Sequence, residues 1–480
     1  MIHRKISIYG LFKIINIIIL LLMIYTYSSI GSNSYINVWS IIIGSIFVVI
    51  SHFVLSDASR NKNHLLAILA YIVVVHYELR IVTLNFTEYS EVYNLFTEIC
   101  TNDINIILIY CALAYVVCWI GFHYSIKRDK VSTLVEPTYK KKASRNVLVI
   151  LYLSFFLDLM SGLNVPIISH IVRLASTFFF NIIFIMMYGL AFFIHRWNYA
   201  KKNEKRFFVA ILLLYVVIHT IGGSRSALYT IFIFIFICLL AFDVVKIRTK
   251  WVLLGGTLVP LLVLMFIYAT IIRSSGKKIT TLSDVAEVTR MVKENVGENE
   301  VILLLGPVCN RIAFFDYTSQ MVKDREHLSQ YVHPINYMKS IVDNLFTPGF
   351  NIFDMPRMSY VVGKCYTIGG TPSLQKYKLT EEGNYLSSCM TWFGESYLIF
   401  GGYFALPVIL IVGVIIRKMY IKRIHHNDIA NVWQRIIILY VTYDLLYSYG
   451  LDWVFIGVVG LIINYYIFMS VTIDKKREVI

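Results

Sequence analysis

Long apolar runs, separated by short basic or polar stretches, fill most of this chain. Twelve runs recur along it, at 9–29, 36–55, 64–84, 104–124, 146–163, 174–195, 207–223, 227–246, 251–272, 394–416, 431–449 and 452–471. A helix of about 20 apolar residues crosses the roughly 30 Å hydrocarbon core of a bilayer. The pattern therefore predicts an all-α polytopic integral membrane protein with about 12 transmembrane helices.

One polar stretch, residues 273–391, interrupts this pattern. It holds apolar pieces such as Val301-Ile-Leu-Leu-Leu, together with turn signals at Thr347-Pro-Gly and Gly369-Gly-Thr-Pro. So many apolar residues do not suit a disordered tether. The sequence predicts three parts: transmembrane helices 1–9 in residues 1–272, one large and mostly helical loop or cap in 273–391, and helices 10–12 with a tail in 392–480.

Composition and charge sharpen this interpretation. Hydrophobic residues make up 58% of the chain and charged residues 15%, whereas a soluble protein carries about 25% charged residues. The net charge is +15, but every basic cluster falls on one side of the predicted membrane, and the acidic loop 85–103 falls on the other. This is the positive-inside pattern. We expect both termini in the cytoplasm and the large loop outside, and the basic residues set topology rather than bind nucleic acid.

The turn between the seventh and eighth runs carries the most specific chemistry. Gly222 and Gly223 allow a ligand to approach the backbone, and Ser224 or Ser226 can cap the helix that follows. Arg225 adds a planar charged group that suits phosphate oxygens. With the free N–H groups of a helix N-terminus, these residues predict an anion site. The alternative is a tight turn whose arginine contacts lipid phosphates.

Further arginines lie at predicted outer ends of runs, where positive charge is disfavoured. They suggest an anionic group held at that interface, with lipid headgroup contact as the alternative; they are Arg80, Arg173 and Arg273.

Other polar residues are candidates for catalysis or substrate binding, and each of them could instead have a purely structural role. Glu395, near the start of the tenth run, could orient a sugar hydroxyl or compensate a helix dipole. His219 could be a base or a satisfied helix histidine, and Asp452 is interpreted as the N-cap of the last helix. The loop offers further candidate side chains, each with a structural polar contact as the alternative, namely Arg311, Asp316, His333, Arg357 and Tyr385. No His/Cys spacing indicates a metal site.

Two segments resemble a known family. Thr220-Ile-Gly-Gly-Ser-Arg-Ser-Ala227 resembles the Gly-[Ser/Thr]-Arg turn of the bacterial oligosaccharide repeat-unit polymerases, the Wzy-type O-antigen polymerases. Gly394-Glu-Ser-Tyr-Leu-Ile-Phe-Gly-Gly-Tyr403 is similar to the opening of a late helix in that family, and the number of runs and the late loop match as well. Some relatives carry an arginine just before Gly450-Leu-Asp, where this chain has Ser448-Tyr449, so the role of that arginine is not carried over.

The resemblance implies a GT-C-like glycosyltransferase of the bacterial inner membrane, with its active site facing the periplasm and with no metal or cofactor. Its substrates would be undecaprenyl-diphosphate-linked oligosaccharides, and its partners would be membrane lipids and, as a candidate, a polysaccharide chain-length regulator. Catalytic roles would fall to Arg225, Glu395 and His333. Substrate binding would fall to Gly222, Gly223, Ser224, Arg80, Arg173, Arg273, Arg311, Arg357 and Tyr385. The alternatives are an O-antigen ligase and a lipid-linked oligosaccharide flippase.

Overall fold

The computed structural model describes residues 5–32, 35–84, 101–124, 139–161, 172, 175–221, 226–244, 246–249, 287, 290, 314–345, 352–365, 390–424, 429–447 and 450–474. Within these residues, eight helices are long and apolar enough to cross a membrane: Ile8–Ser29, Val38–Asn61, His64–Leu84, Asp103–His123, Ala143–Met160, Ala175–Arg196, Gly402–Arg423 and Leu451–Thr472. The predicted class, a helical polytopic membrane protein, is confirmed.

The helices that precede the large loop are α1 Ile8–Ile30, α2 Val38–Asn61, α3 His64–Leu84 with a π-helical turn at Val74–Glu78, α4 Thr101–His123, α5 Ala143–Ser161, α6 Ile182–Arg196 after a π-helical turn at Ala175–Phe179, α7 Lys202–Ile221 and α8 Ser226–Ala241. In α3, 83% of the apolar stretch is buried, the largest share among the eight spans, so α3 lies at the centre of the helix bundle.

The remaining helices are α9 Phe314–Lys323, α10 Arg325–Leu328, α11 Pro334–Leu345, α12 Met358–Cys365, α13 Trp392–Phe400, α14 Ala405–Ile424, α15 Ile429–Tyr447 and α16 Leu451–Thr472. Helices α7, α8 and α15 correspond to the predicted spans 207–223, 227–246 and 431–449. The predicted ninth span, 251–272, lies outside the described residues. The total of twelve therefore stays a prediction.

The predicted tenth span, 394–416, is wrong at its start. Gly401 and Gly402 have φ values of 81° and 74°, a left-handed backbone that ends α13. A short 3-10 turn, Gly402–Phe404, then leads into α14. The apolar stretch that could span the membrane is Gly402–Arg423, and Glu395 lies in the separate short helix before it.

A small two-stranded sheet departs from the all-α expectation. Strand β1, Lys5–Ser7, pairs antiparallel with β2, Lys246–Arg248. At the same end of the bundle, Lys62 forms an ion pair with Asp243, and Tyr139 bridges to Ile473. We name this end the basic face. Its contacts join the C-terminal ends of α2, α8 and α16 with the segment before α1, so these three helices run in the same direction and α1 runs in the opposite one.

Helices α9 to α13 form a cap at the opposite end, which we name the cap face. A second apolar cluster fills the cap, distinct from the core of the bundle, and it includes Met321, Leu328, Val332, Met358, Val361 and Met390. The cap is attached to the bundle by polar contacts. Arg80 in α3 forms a buried ion pair with Asp316 in α9, with Nη2 and Oδ2 2.9 Å apart, and the Tyr110 hydroxyl donates to the Phe393 carbonyl at 2.8 Å. Within the described residues the large loop is thus folded and mostly helical.

Candidate functional site

The predicted anion turn lies between two described helices. Helix α7 ends at Ile221 and α8 begins at Ser226. The turn itself, with Arg225, is outside the described residues, as are further candidates from the sequence: Gly222, Gly223, Ser224, Arg173, Arg273, Arg311 and Tyr385. Their roles stay predictions. The described residues near the cap-face ends of α7 and α8 show which reactive side chains lie there.

A carboxylate–histidine pair stands at this end. Nε2 of His219, in the last turn of α7, lies 3.0 Å from Oδ2 of Asp158 in α5, and the two side chains are 27% and 26% exposed. Tyr215 packs against the imidazole, with ring centroids 4.3 Å apart. When Nε2–H donates to the carboxylate, Nδ1 keeps its lone pair and can accept a proton. This arrangement can act as an oriented base next to the predicted turn.

Glu395 lies near the N-terminus of α13, where the helix-dipole alternative places it, and it also bonds to a second helix. It is buried in the first turn of α13, and its Oε1 accepts a hydrogen bond from the backbone N–H of Leu451 at 2.8 Å. Leu451 is the first residue of α16, so Glu395 satisfies a free N–H at the N-terminus of a neighbouring helix. The carboxylate thus joins α13 to α16.

The surroundings of Glu395 favour its neutral form. Burial raises the pKa of Glu395 to about 8, with an opposing effect from the Tyr337 hydroxyl. That hydroxyl also lies 3.5 Å from the Met390 sulfur, to which it donates. A protonated carboxyl group cannot accept a proton at neutral pH. The geometry favours a structural role for Glu395, and its catalytic role stays a prediction.

The interpretation of Asp452 as an N-cap is wrong. Gly450 holds the N-cap position of α16, and Asp452 lies inside the first turn. Its Oδ2 accepts hydrogen bonds from the Ser340 hydroxyl at 2.7 Å and from the Met358 N–H at 3.0 Å. Asp452 therefore fixes α11 and α12 of the cap onto α16 through Oδ2, while its Oδ1 accepts from the Trp453 N–H in the same turn at 2.9 Å.

Three other predicted site residues have defined positions in the cap or against it. Arg357 lies over the Trp453 ring, with its guanidinium carbon 4.1 Å from the ring centroid. His333 directly precedes α11, and its carbonyl accepts from the Tyr337 N–H at 3.1 Å. Arg80 is enclosed with Asp316, so its charge is compensated within the protein. Arg357 therefore lies near Asp452, which is itself near Glu395. Arg80 pairs with α9, a different helix of the cap.

Sequence reasoning missed Asp158 as the partner of His219. Asp158 is the one carboxylate in the fifth apolar run, and an ionisable residue inside such a run is itself a signal of function. The pairing across α5 and α7 could not be seen in the sequence because 61 residues separate the two side chains.

The cap-face end thus offers an oriented imidazole, a guanidinium on an aromatic ring and a folded cap above membrane helices. These groups can accept a proton from a hydroxyl and hold a polar substrate beside the bilayer. Among the described residues, no group of three or more His, Cys, Asp or Glu side chains is arranged to hold a metal ion. Comparison with family models, with curated proteins and with solved structures finds no match for this chain.

Proposed function

We propose that this protein polymerises undecaprenyl-diphosphate-linked oligosaccharide repeat units at the periplasmic face of a bacterial inner membrane. The observation that carries the proposal is the Asp158–His219 pair, 3.0 Å apart and partly exposed. It stands at the end of the helix that runs into Gly222-Gly-Ser-Arg225. Glycosyl transfer from a diphosphate uses a base and an anion site, and in the sequence the predicted anion turn directly follows this helix.

The proposed reaction uses these groups as follows. A hydroxyl oxygen of the incoming lipid-linked unit attacks the anomeric carbon of the growing chain. The bond from that carbon to the diphosphate oxygen breaks, and the lipid diphosphate leaves with the electron pair. Nδ1 of His219 takes the hydroxyl proton, oriented by Asp158, and Arg225 stabilises the charge that develops on the diphosphate.

The folded cap supports the same proposal. A repeat-unit polymerase must hold a long polar glycan next to a membrane-embedded lipid, and α9 to α13 form a folded layer at the end where the proposed chemistry lies. Arg357 on the Trp453 ring gives a cation and an aromatic surface suited to sugar and phosphate groups.

A deletion strain tests the function, with its surface glycan separated by length on a gel. A glycan with a single repeat unit supports the polymerase. Loss of all surface glycan points to the ligase or the flippase instead, and accumulation of lipid-linked units in the cytoplasm singles out the flippase.

Variants then test the residues, with protein abundance measured in parallel. Arg225→Ala should lower the polymerisation rate by about 10²–10³-fold through loss of one charge-assisted contact, and Arg225→Lys should restore it in part, since an ammonium lacks the bidentate geometry. His219→Gln should lower the rate by about 10²–10⁴-fold, the usual contribution of a general base.

A matched control exists at the opposite end of the bundle. His123 Nδ1 lies 2.7 Å from Asp57 Oδ2 on the basic face, so it has the same chemistry without the neighbouring turn. His123→Gln should keep full-length glycan. Equal losses in His219→Gln and His123→Gln, at normal abundance, would contradict the assignment of His219 as the base.

A further inference from the structure

Helix α11 buries its polar side and exposes its apolar side, the reverse of an ordinary surface helix. Its polar residues Asn336, Ser340, Asp343 and Asn344 are buried, whereas Ile335 and Met338 are each 63% exposed. A surface helix in water normally turns its apolar side inward and its charged side outward. The exposed side of α11 therefore suits an apolar surrounding.

The buried polar side is fixed by hydrogen bonds. The Ser340 hydroxyl donates to Asp452 at 2.7 Å, and the Asn336 side chain donates to the Tyr331 carbonyl at 2.7 Å. Asp343 accepts from the N–H groups of Ile352, Phe353 and Met355. Rotating α11 to hide its apolar side would break these bonds and leave buried groups unpaired, which costs about 1–3 kcal/mol for each group.

The exposed apolar side continues along the chain and onto α16. Asp343 holds Ile352 and Phe353 next to α11, and Ile352 is 64% exposed. The Lys339 ammonium lies 5.8 Å from the centroid of the Phe353 ring. On the spanning helix α16, Trp453 and Phe455 are exposed apolar residues as well, and Arg357 covers the Trp453 ring at 4.1 Å.

We propose that residues 334–345 and 352–355 form a membrane anchor that lies in the leaflet on the cap side. Ile335, Met338, Ile352 and Phe353 would enter the boundary between headgroups and acyl chains, which interfacial helices reach to about 5–10 Å. The exposed apolar side chains of the anchor continue onto the exposed apolar side of α16, a helix long and apolar enough to cross the membrane. The occupant is therefore phospholipid.

A basic side chain beside the proposed anchor suits a position at the lipid headgroups. Lys339 flanks the apolar surface, with its ammonium 5.8 Å from the centroid of the Phe353 ring and able to reach lipid phosphates. The anchor would hold the cap against the bilayer independently of the transfer reaction proposed above.

Spin-label accessibility in phospholipid nanodiscs tests the proposal. Met338→Cys and Ile352→Cys carry a nitroxide, and Gln330→Cys, exposed on a polar part of the cap, is the matched control. Collisions with oxygen report lipid and collisions with a water-soluble nickel chelate report water. The ratio of oxygen to nickel collisions should be several-fold higher at both anchor sites than at position 330.

Two outcomes would overturn the anchor. Nickel access at positions 338 and 352 equal to that at 330 would place this side in water. Low access to both reagents would mean that another protein, such as a second copy of the chain, covers it. The two labelled positions lie on separate segments, so a folding defect in one variant, detected by thermal unfolding, leaves the other as an independent test.

Discussion

Buried carboxylates in and beneath the cap each have a defined partner. Asp316 pairs with Arg80, Asp343 accepts backbone N–H groups, Asp452 accepts from a serine and a backbone N–H, and Glu395 accepts from the start of α16. A buried carboxylate is costly unless it is paired or neutral. These four carboxylates therefore hold the segments of the cap together and onto the bundle. Asp158 is outside this group, is 26% exposed, and is the carboxylate that we propose for chemistry.

The raised pKa of Glu395 predicts how the stability of the protein changes with pH. Its pKa is raised from 4.5 to about 8 by burial, so the folded state binds more protons than the unfolded state between these values. Stability is then greatest below the unfolded pKa and is lost as pH rises towards the folded pKa. Glutamine mimics the neutral acid and does not titrate. The melting temperature of Glu395→Gln, measured in detergent, should rise relative to the wild type between pH 5 and pH 8.

Glu395→Ala is the control for the hydrogen bond. Alanine leaves the Leu451 N–H without its acceptor, which should cost about 1–3 kcal/mol at every pH. A constant difference between Glu395→Gln and the wild type across this range would show that Glu395 is ionised in the folded protein and would restore it as a candidate base.

At the level of elements, two glycines set how closely α4 and α14 pack. A Cβ atom on Gly121 would lie 2.9 Å from the Leu410 carbonyl oxygen and 3.1 Å from Cα of Gly413. Both neighbours are backbone atoms, which cannot move aside as a side chain can. Small residues let membrane helices approach in this way, and the contact rests on van der Waals packing.

Gly121→Val should therefore separate α4 from α14. Overpacking usually costs about 1–3 kcal/mol, and the expected result is a lower melting temperature in detergent. Gly10→Val is the matched control, because the nearest atom to a Cβ at Gly10, other than its own chain neighbours, is 3.7 Å away. Equal melting temperatures for the two variants would contradict the close approach.

At the level of the whole molecule, the helices join two distinct ends. The basic face gathers the chain's beginning, the segment after α8 and the end of α16, while the cap face gathers α9 to α13. Charge alone predicts that the basic face and both termini lie in the cytoplasm, and this prediction is open to a direct test.

A membrane-impermeant maleimide checks the orientation in spheroplasts. Gln330→Cys, on the cap, should react without permeabilisation, and Lys202→Cys, on the basic face, should react only after it. The background replaces four cysteines by serine, namely Cys100, Cys309, Cys365 and Cys389, while the buried Cys111, Cys118 and Cys238 stay. The reverse labelling pattern would overturn the topology and the periplasmic site with it.

The sequence by itself determined the class of fold and the position of most membrane helices. Hydrocarbon thickness imposes a length and an apolar composition on each span, and both are local properties of the chain. It also indicated a folded cap, since residues 273–391 carry too many apolar side chains for a disordered tether. It did not reveal the break at Gly401, because glycines are common inside membrane helices and their backbone angles depend on what surrounds them.

Only the tertiary structure decided which polar groups meet. Arg80 and Asp316 are 236 residues apart, Ser340 and Asp452 are 112 apart, and Asp158 and His219 are 61 apart. A buried charge must find a partner, but nothing in the local pattern says which partner. The sequence did not reveal that the polar side of α11 is buried, for the same reason. The hydrogen bonds that stabilise these buried polar residues are made with α16 and with residues 352–355, and they exist only in the folded protein.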